Sequence, residues 1–328
     1  MKLVEKKRRE IFCDNSVSDT HPKYTIWIYL SVSILMMIVG FLSNICTYIA
    51  LIEQRNSRSI IPRSIQFTAI ASQLTLICLT LQIIYILLNQ YRVLHQSILN
   101  LYTCKFSTYF LDSFAFISKW FTVFLSISRS QSTNQLNIQS SKQYPWLVLI
   151  IVSIFLFNGT EIVFHRLVND PRKSKHLVCT LEITDSRWNI FATTFRIATH
   201  LLPFLLNVYA VTTIIRTVAR SKSNLNQTKL ISEIWKQIKL YYEQLACPIL
   251  MIFCSSPELL MALIVKCHQW DNSYRRSTMI VMHLVSFIPE ILTFYLFIQP
   301  STVYRNAFVR NTRVGQIFSS IIIPSSSS

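Results

Sequence analysis

The 328-residue chain is 51% hydrophobic and only 14% charged, whereas a soluble domain carries about 25% charged residues. This composition excludes an ordinary water-soluble fold. The formal net charge of +17 falls in short segments between apolar runs, which favours loops beside lipid headgroups over a nucleic-acid-binding surface.

The first three apolar runs predict three membrane-spanning helices. Tyr24–Ile52 and Ser64–Tyr91 contain no charged residue, and each exceeds the roughly 20 residues that a helix needs to cross the hydrocarbon. Cys104–Ser128 is the third run, in which Asp112 and Lys119 lie among apolar and aromatic residues.

Four further apolar runs predict four more spans, three of them with a proline well away from their ends. They are Tyr144–Phe164, about Trp188–Ile215 around Pro203, about Ile234–Val265 around Pro248 and Pro257, and about Ser277–Ile298 around Pro289. Prolines inside membrane helices predict kinks. After Pro300, residues 301–308 are typical of a short amphipathic helix lying on the membrane surface.

The predicted fold is therefore an all-α membrane protein, a seven-transmembrane helix bundle with a surface helix after the seventh span. Its parts are an N-terminal tail (1–23), the membrane domain (24–300) and a tail with the amphipathic helix and a Ser-rich end (301–328). The Lys and Arg residues of the two sets of loops are similar in number, so the positive-inside rule does not decide the orientation.

Three residues mark the two membrane faces. Cys104 and Arg129 lie 25 residues apart, which is roughly 37 Å along a helix, so they belong to opposite faces. Cys179, in the polar segment between the fourth and fifth spans, lies on the same side as Cys104.

Over Tyr24–Phe308 this pattern resembles the rhodopsin-like family of G-protein-coupled receptors. The resemblance implies a Cys104–Cys179 disulfide, Arg129 as a switch facing the G protein, and Asn44 as the asparagine of the first helix. It also implies a plasma-membrane receptor with an extracellular N-terminus and a cytoplasmic C-terminus, which couples an extracellular ligand to a heterotrimeric G protein.

Several family motifs are changed in this chain. The Asp-Arg-Tyr motif reads Ser128-Arg129-Ser130, and the Cys-Trp-x-Pro motif reads Cys254-Ser-Ser-Pro257, which keeps the kink at Pro257 but loses the tryptophan. The Asn-Pro-x-x-Tyr motif falls on Thr293–Phe297, and the aspartate of the second helix falls near Ser72 or Gln73. A sodium site is therefore not expected.

Ionisable residues inside the spans bear most directly on function. A charge at the bilayer centre costs roughly 2.5–3.5 kcal/mol on insertion scales and is tolerated where it faces the bundle. We expect such residues to form either a ligand pocket or a buried ion network, in which Lys119 reaches Glu258 or Glu290. They are Asp112, Lys119, Arg196, Glu258 and Glu290.

The ligand class is predicted from charge. In amine receptors the pocket aspartate follows the helix cysteine by seven residues, but Asp112 follows Cys104 by eight, and Leu111 takes the expected place. The basic segment 172–176 favours a peptide ligand instead. A second disulfide between Cys13 and Cys267 is an open alternative to two free thiols.

No catalytic arrangement, metal-ligand spacing or phosphate-binding loop is evident, so we expect neither an enzyme nor a cofactor or metal. Two other functions remain open: a chemoreceptor channel subunit of inverted seven-helix topology, and a secondary transporter that uses the buried charges as a substrate or proton pathway.

Overall fold

The computed structural model describes residues 23–52, 60–91, 98–133, 144–169, 177–181, 186–226, 249–251, 253–254, 256–257, 273–299 and 301–312. Its first four helices are α1 (Lys23–Ile52), α2 (Ile60–Gln90), α3 (Ile98–Thr133) and α4 (Tyr144–Phe164). They match the first four predicted spans closely, except that α3 begins six residues before Cys104, so the prediction that this cysteine opens the helix was wrong.

A hairpin follows α4. It consists of β1 (His165–Asn169) and β2 (Leu177–Leu181), which pair antiparallel with Leu167 opposite Cys179. The hairpin lies in the segment that the hydropathy pattern indicated only as a polar loop, where β-branched residues in β2 favour a strand, and the membrane fold itself is helical, as predicted. The long helix α5 (Ser186–Asn226) comes next.

The C-terminal span is interrupted. The sequence predicts one helix over Ser277–Ile298, but three segments follow one another instead, and a surface helix comes after them. These elements are α6 (Ser273–Ser286), α7 (Ile288–Ile291), α8 (Thr293–Phe297) and α9 (Thr302–Asn311). The first break precedes Pro289, which has no N–H to donate to the preceding turn.

Five helices in the described part of the chain, α1 to α5, are long and apolar enough to cross a membrane. A shorter apolar stretch, Ile280–Ile291, runs through α6 and α7. The sixth predicted span lies mostly outside the described residues, with helical residues at 249–251, 253–254 and 256–257. The chain is therefore a multi-pass helical membrane protein, and the count of seven spans stays a prediction.

The polarity of the helices is the reverse of that in a soluble protein. On α1, Leu35 and Leu42 are 61% and 60% exposed, whereas Ser33, Asn44 and Thr47 are buried. Apolar side chains thus dominate the outer surface, and small polar side chains lie in the interior beside buried apolar ones. This distribution suits hydrocarbon outside the bundle and hydrogen-bonded partners within it.

The helix α3 lies at the centre of the described helices. It packs against α2, α4, α5 and strand β1, and 67% of its apolar span is buried, compared with 17–44% for the other four spans. The helix α1 packs against α2 and also contacts α7, α8 and α9. Polar residues on the inner faces of α1, α2 and α3 are therefore brought together.

Candidate functional site

Side-chain hydrogen bonds link α1, α2 and α3 across the interior. Nδ2 of Asn44 on α1 donates to Oε1 of Gln73 on α2 at 3.1 Å. The hydroxyls of Ser72 on α2 and Ser118 on α3 share a hydrogen bond of 3.0 Å. We call Ser43, Asn44, Ser72, Gln73 and Ser118 the polar layer. Bonds of this kind stabilise helix association in a membrane, where water cannot replace them.

The polar layer lies at one depth in the membrane. Asn44 is five residues past the middle of the α1 span, Ser72 is four before the middle of the α2 span, and Ser118 is four past the middle of the α3 span. Side-chain hydrogen bonds between the helices show that α1 and α2 run antiparallel, and that α2 and α3 do so as well. All three residues are therefore displaced toward the face where α1 ends, which we call the lower face. The displacement is about 6–8 Å along the helix axes.

The segments α7 and α8 join the polar layer through Ser43. The backbone N–H of Phe294 donates to Oγ of Ser43 at 3.0 Å, and Oγ1 of Thr293 donates to the carbonyl oxygen of Glu290 at 3.0 Å. Glu290, one helical turn before Phe294, is only 1% exposed. An ionisable carboxyl group therefore lies in the interior close to the polar layer.

Lys119 brings a second ionisable group to this region. It is 7% exposed, and its Nζ lies 6.0 Å from the centre of the Phe116 ring. Because Phe116 is one turn earlier, the ammonium group points back along α3 toward the middle of the membrane. Lys119 and Glu290 are thus both interior. A direct contact between them stays a prediction, and Glu258 lies outside the described residues.

Apolar clusters lie above and below the polar layer. Toward the upper face, where α1 begins, is the upper cluster of Met36, Leu76, Leu79, Leu111, Ala115, Leu284 and Phe287. Toward the lower face is the lower cluster of Ala50, Leu51, Ile65, Leu125, Met251, Leu296, Phe297, Ile298 and Phe308. Apolar surroundings strengthen hydrogen bonds and charge interactions between them.

Asp112 lies above the polar layer, toward the upper face. It is half-buried and shares one face of α3 with Lys119, seven residues later. Its neighbour Leu111 is buried in the upper cluster. The residue seven positions after Cys104 is therefore a leucine that packs between helices.

Cys104 lies in the second turn of α3, where it is buried and disulfide-bonded. Its predicted partner, Cys179, is on β2, with its side chain outside the described part of the structure. The neighbouring strand β1 packs on α3, so the hairpin and α3 lie together. The predicted second pair, Cys13 and Cys267, lies outside the described residues.

The other predicted site residues are placed mainly by their backbones. Arg129 belongs to the last turns of α3, and Arg196 belongs to the first part of α5. The side chains of both residues lie outside the described part of the structure. Pro203 is buried within α5, Pro257 is helical and half-buried, and Asn44 is buried in the polar layer.

Sequence reasoning missed most of the polar layer. From the sequence, Ser72 and Gln73 mark only the place of a missing aspartate, and nothing in the hydropathy pattern singles out Ser118. A usable signal exists, because small polar residues recur at four-residue spacing along buried faces: Ser64, Thr68 and Ser72 on α2, and Ser118, Thr122 and Ser126 on α3. Ser113 on α3, whose hydroxyl accepts a hydrogen bond from Nδ2 of Asn158 at 3.1 Å, falls outside this spacing because Tyr109 and Ile117 lie four residues to either side.

Comparisons with known proteins add no relative. The sequence matches no known family of proteins, and it matches no curated protein.

Proposed function

We propose that this protein is a cell-surface receptor of the rhodopsin-like, G-protein-coupled type, built from seven helices with its upper face outside the cell. The observation that carries the proposal is the central position of α3. This helix is the most buried of the five described spans. It holds a disulfide-bonded cysteine near one face, has Arg129 near the other, and is hydrogen-bonded to α2 between them.

The disulfide of Cys104 is proposed to join Cys179. β1, the strand paired with the one that carries Cys179, packs on α3, the helix that carries Cys104. An oxidising exterior permits such a bridge on the upper face. The bridge would hold the hairpin over the upper end of the bundle and so form the roof of a ligand pocket.

The pocket is proposed to lie between this hairpin and the polar layer. Asp112 is half-buried there, and Lys119 is buried below it on the same face of α3. A peptide is the favoured ligand because the basic segment 172–176, between the two strands, would attract an acidic or amidated partner. Binding at Asp112 would act on Lys119 two turns lower, next to Ser118 of the polar layer.

Transmission to the lower face is proposed to run through the polar layer. Ser118 is bonded to α2, Gln73 to α1, and Ser43 to α8, so a movement of α3 alters a bonded set that includes the C-terminal span. The α3 segment below Ser118 leads to Arg129, which would contact the heterotrimeric G protein.

The test is coupling measured in cells. The chain is expressed with a panel of G proteins, and the second-messenger signal is recorded without ligand and with a peptide library. Arg129→Ala should abolish the signal and leave surface delivery intact. Arg220→Ala is the matched control, since Arg220 is exposed near the lower end of α5 and has no proposed role. Equal signals from wild type and Arg129→Ala would refute the proposal.

An alternative use of the same residues is ion or substrate passage, which the buried Lys119 and Glu290 favour because charges inside membrane bundles often mark pathways. Epitope tags on intact cells separate the inverted channel from the receptor. An exposed N-terminus and a hidden C-terminus are expected for the receptor, and the opposite arrangement supports the channel. Ion-coupled uptake by vesicles containing the purified protein would instead indicate a transporter.

A further inference from the structure

At the second break of the C-terminal span, the helical hydrogen bond between the Phe294 N–H and the Glu290 carbonyl is replaced by side-chain hydrogen bonds. Between α7 and α8, Leu292 leaves ideal helical geometry with φ −91° and ψ 16°. In an uninterrupted helix the N–H of Phe294 would donate to the carbonyl of Glu290. Instead this N–H donates to Oγ of Ser43 at 3.0 Å, and the Glu290 carbonyl accepts from Oγ1 of Thr293 at 3.0 Å. The Phe294 N–H and the Glu290 carbonyl thus both have side-chain partners.

Nothing in the covalent structure requires this second break. Pro289 removes an N–H one turn earlier, but Phe294 keeps its N–H and can donate within the helix. Sharp breaks in helices arise at prolines or where a side chain inserts into the hydrogen-bonding ladder. Ser43 from α1 is such a side chain. The break is therefore maintained by a hydrogen bond that can open.

A small residue on α1 brings the two segments close enough for this bond. Gly40 lies one turn before Ser43, and a Cβ at Gly40 would lie 3.7 Å from the Cα of Ile291 and would overlap the side chain of Leu76. The backbone of α1 therefore approaches α7 closely, and the Ser43 hydroxyl reaches the Phe294 N–H.

We propose that the Ser43–Phe294 hydrogen bond is a latch on a proline-free hinge in the C-terminal span. While it is closed, α8 stays bent relative to α7. When it opens, Phe294 N–H can return to the Glu290 carbonyl and the segment straightens. The ring of Phe294 packs edge-on against Phe308 of α9 at 4.9 Å, so straightening shifts the surface helix and the lower cluster.

The test uses the full-length protein in detergent and needs neither ligand nor G protein. Thermal unfolding is measured for Ser43→Ala and for Ser43→Thr, which keeps the hydroxyl. The matched control is Ser33→Ala, because Ser33 is also buried in α1 but its hydroxyl bonds only to the Leu30 carbonyl of its own helix. Each Ala variant is repeated in a Phe294→Pro background, which has no N–H for the latch.

Ser43→Ala should lower the midpoint of unfolding by about 2–4 °C, the shift expected when one buried hydrogen bond is lost, and Ser43→Thr should restore most of it. In the Phe294→Pro background Ser43→Ala should cause no further loss, whereas Ser33→Ala should have the same effect in both backgrounds. Equal losses from Ser43→Ala in both backgrounds would overturn the latch.

Hydrogen exchange provides a second measurement if Phe294→Pro does not fold. In Ser43→Ala, the amides of 293–297 should exchange about fivefold faster than in wild type, because Phe294 no longer has a fixed acceptor. Ser33→Ala should leave their exchange unchanged. Identical exchange of this segment in wild type and Ser43→Ala would also overturn the proposal.

Discussion

Replacing Gly40 with alanine should destabilise the protein, although alanine usually favours a helix. A glycine-to-alanine change gains roughly 0.5–1 kcal/mol of helix stability. At Gly40 the new Cβ overlaps Leu76, a fully buried member of the upper cluster, and overpacking costs about 1–3 kcal/mol. The difference between these two ranges is a net loss of about 1 kcal/mol. Gly40→Ala should cost less in a Leu76→Ala background, where the new Cβ has room.

Gly159→Ala is the matched control, because nothing lies within 4 Å of a Cβ at Gly159 in α4. It should raise stability by about 0.5–1 kcal/mol. Unfolding can be followed with a dye that fluoresces on reaction with thiols, since Cys46, Cys78 and Cys254 are free and become accessible. At about 2–4 °C per kcal/mol, the two variants should move the midpoint in opposite directions. A gain for Gly40→Ala, or equal shifts for both variants, would refute the packing argument.

Three further predictions address the predicted site residues. Cys104→Ser and Cys179→Ser should each lower stability by about 2–4 kcal/mol, and the double variant should lose no more than either single one; additive losses in thermal unfolding would show that they are not partners. Lys119→Glu should reduce surface expression by placing two acidic groups in the interior, and adding Glu290→Lys should restore it; cell-surface labelling measures both, and no restoration would argue against an interaction between the two sites. Ser128→Asp should lower signalling without ligand, because a carboxylate at this buried position would pair with the adjacent Arg129 and hold it in the inactive state; an unchanged or higher second-messenger signal would contradict this.

The sequence predicted the first, second and fourth spans well. Tyr144–Phe164 was predicted with the observed bounds of α4, and the predicted start of α1 differs by one residue, because uncharged runs bounded by polar residues locate membrane helices directly. The start of α3 was missed because its first two turns mix polar and apolar residues, so hydropathy gives no boundary there. The break after Ile291 was missed because no proline marks it.

Within the candidate site, the sequence indicated which side chains are buried only where a large free energy requires the burial. Lys119 and Glu290 are buried in the interior, as the cost of exposing a charge to hydrocarbon requires. The polar layer depends instead on the rotation of each helix, and Ser72 and Gln73 are adjacent in sequence but bond to different helices. Small polar residues are tolerated on any face, so hydropathy alone does not select their partners.

The length of α5 has a mechanical consequence. Its 41 residues extend about 60 Å, twice the thickness of the hydrocarbon. Pro203 divides the helix unequally and leaves 23 residues, about 35 Å, between itself and Asn226. A change of 10° in the bend at this proline therefore swings the distal tip by about 6 Å, while side chains beside the pivot hardly move. Pro203 thus gives α5 a shorter arm toward the upper face and a longer arm toward the lower one, so that a small movement at the proline is amplified at the lower end.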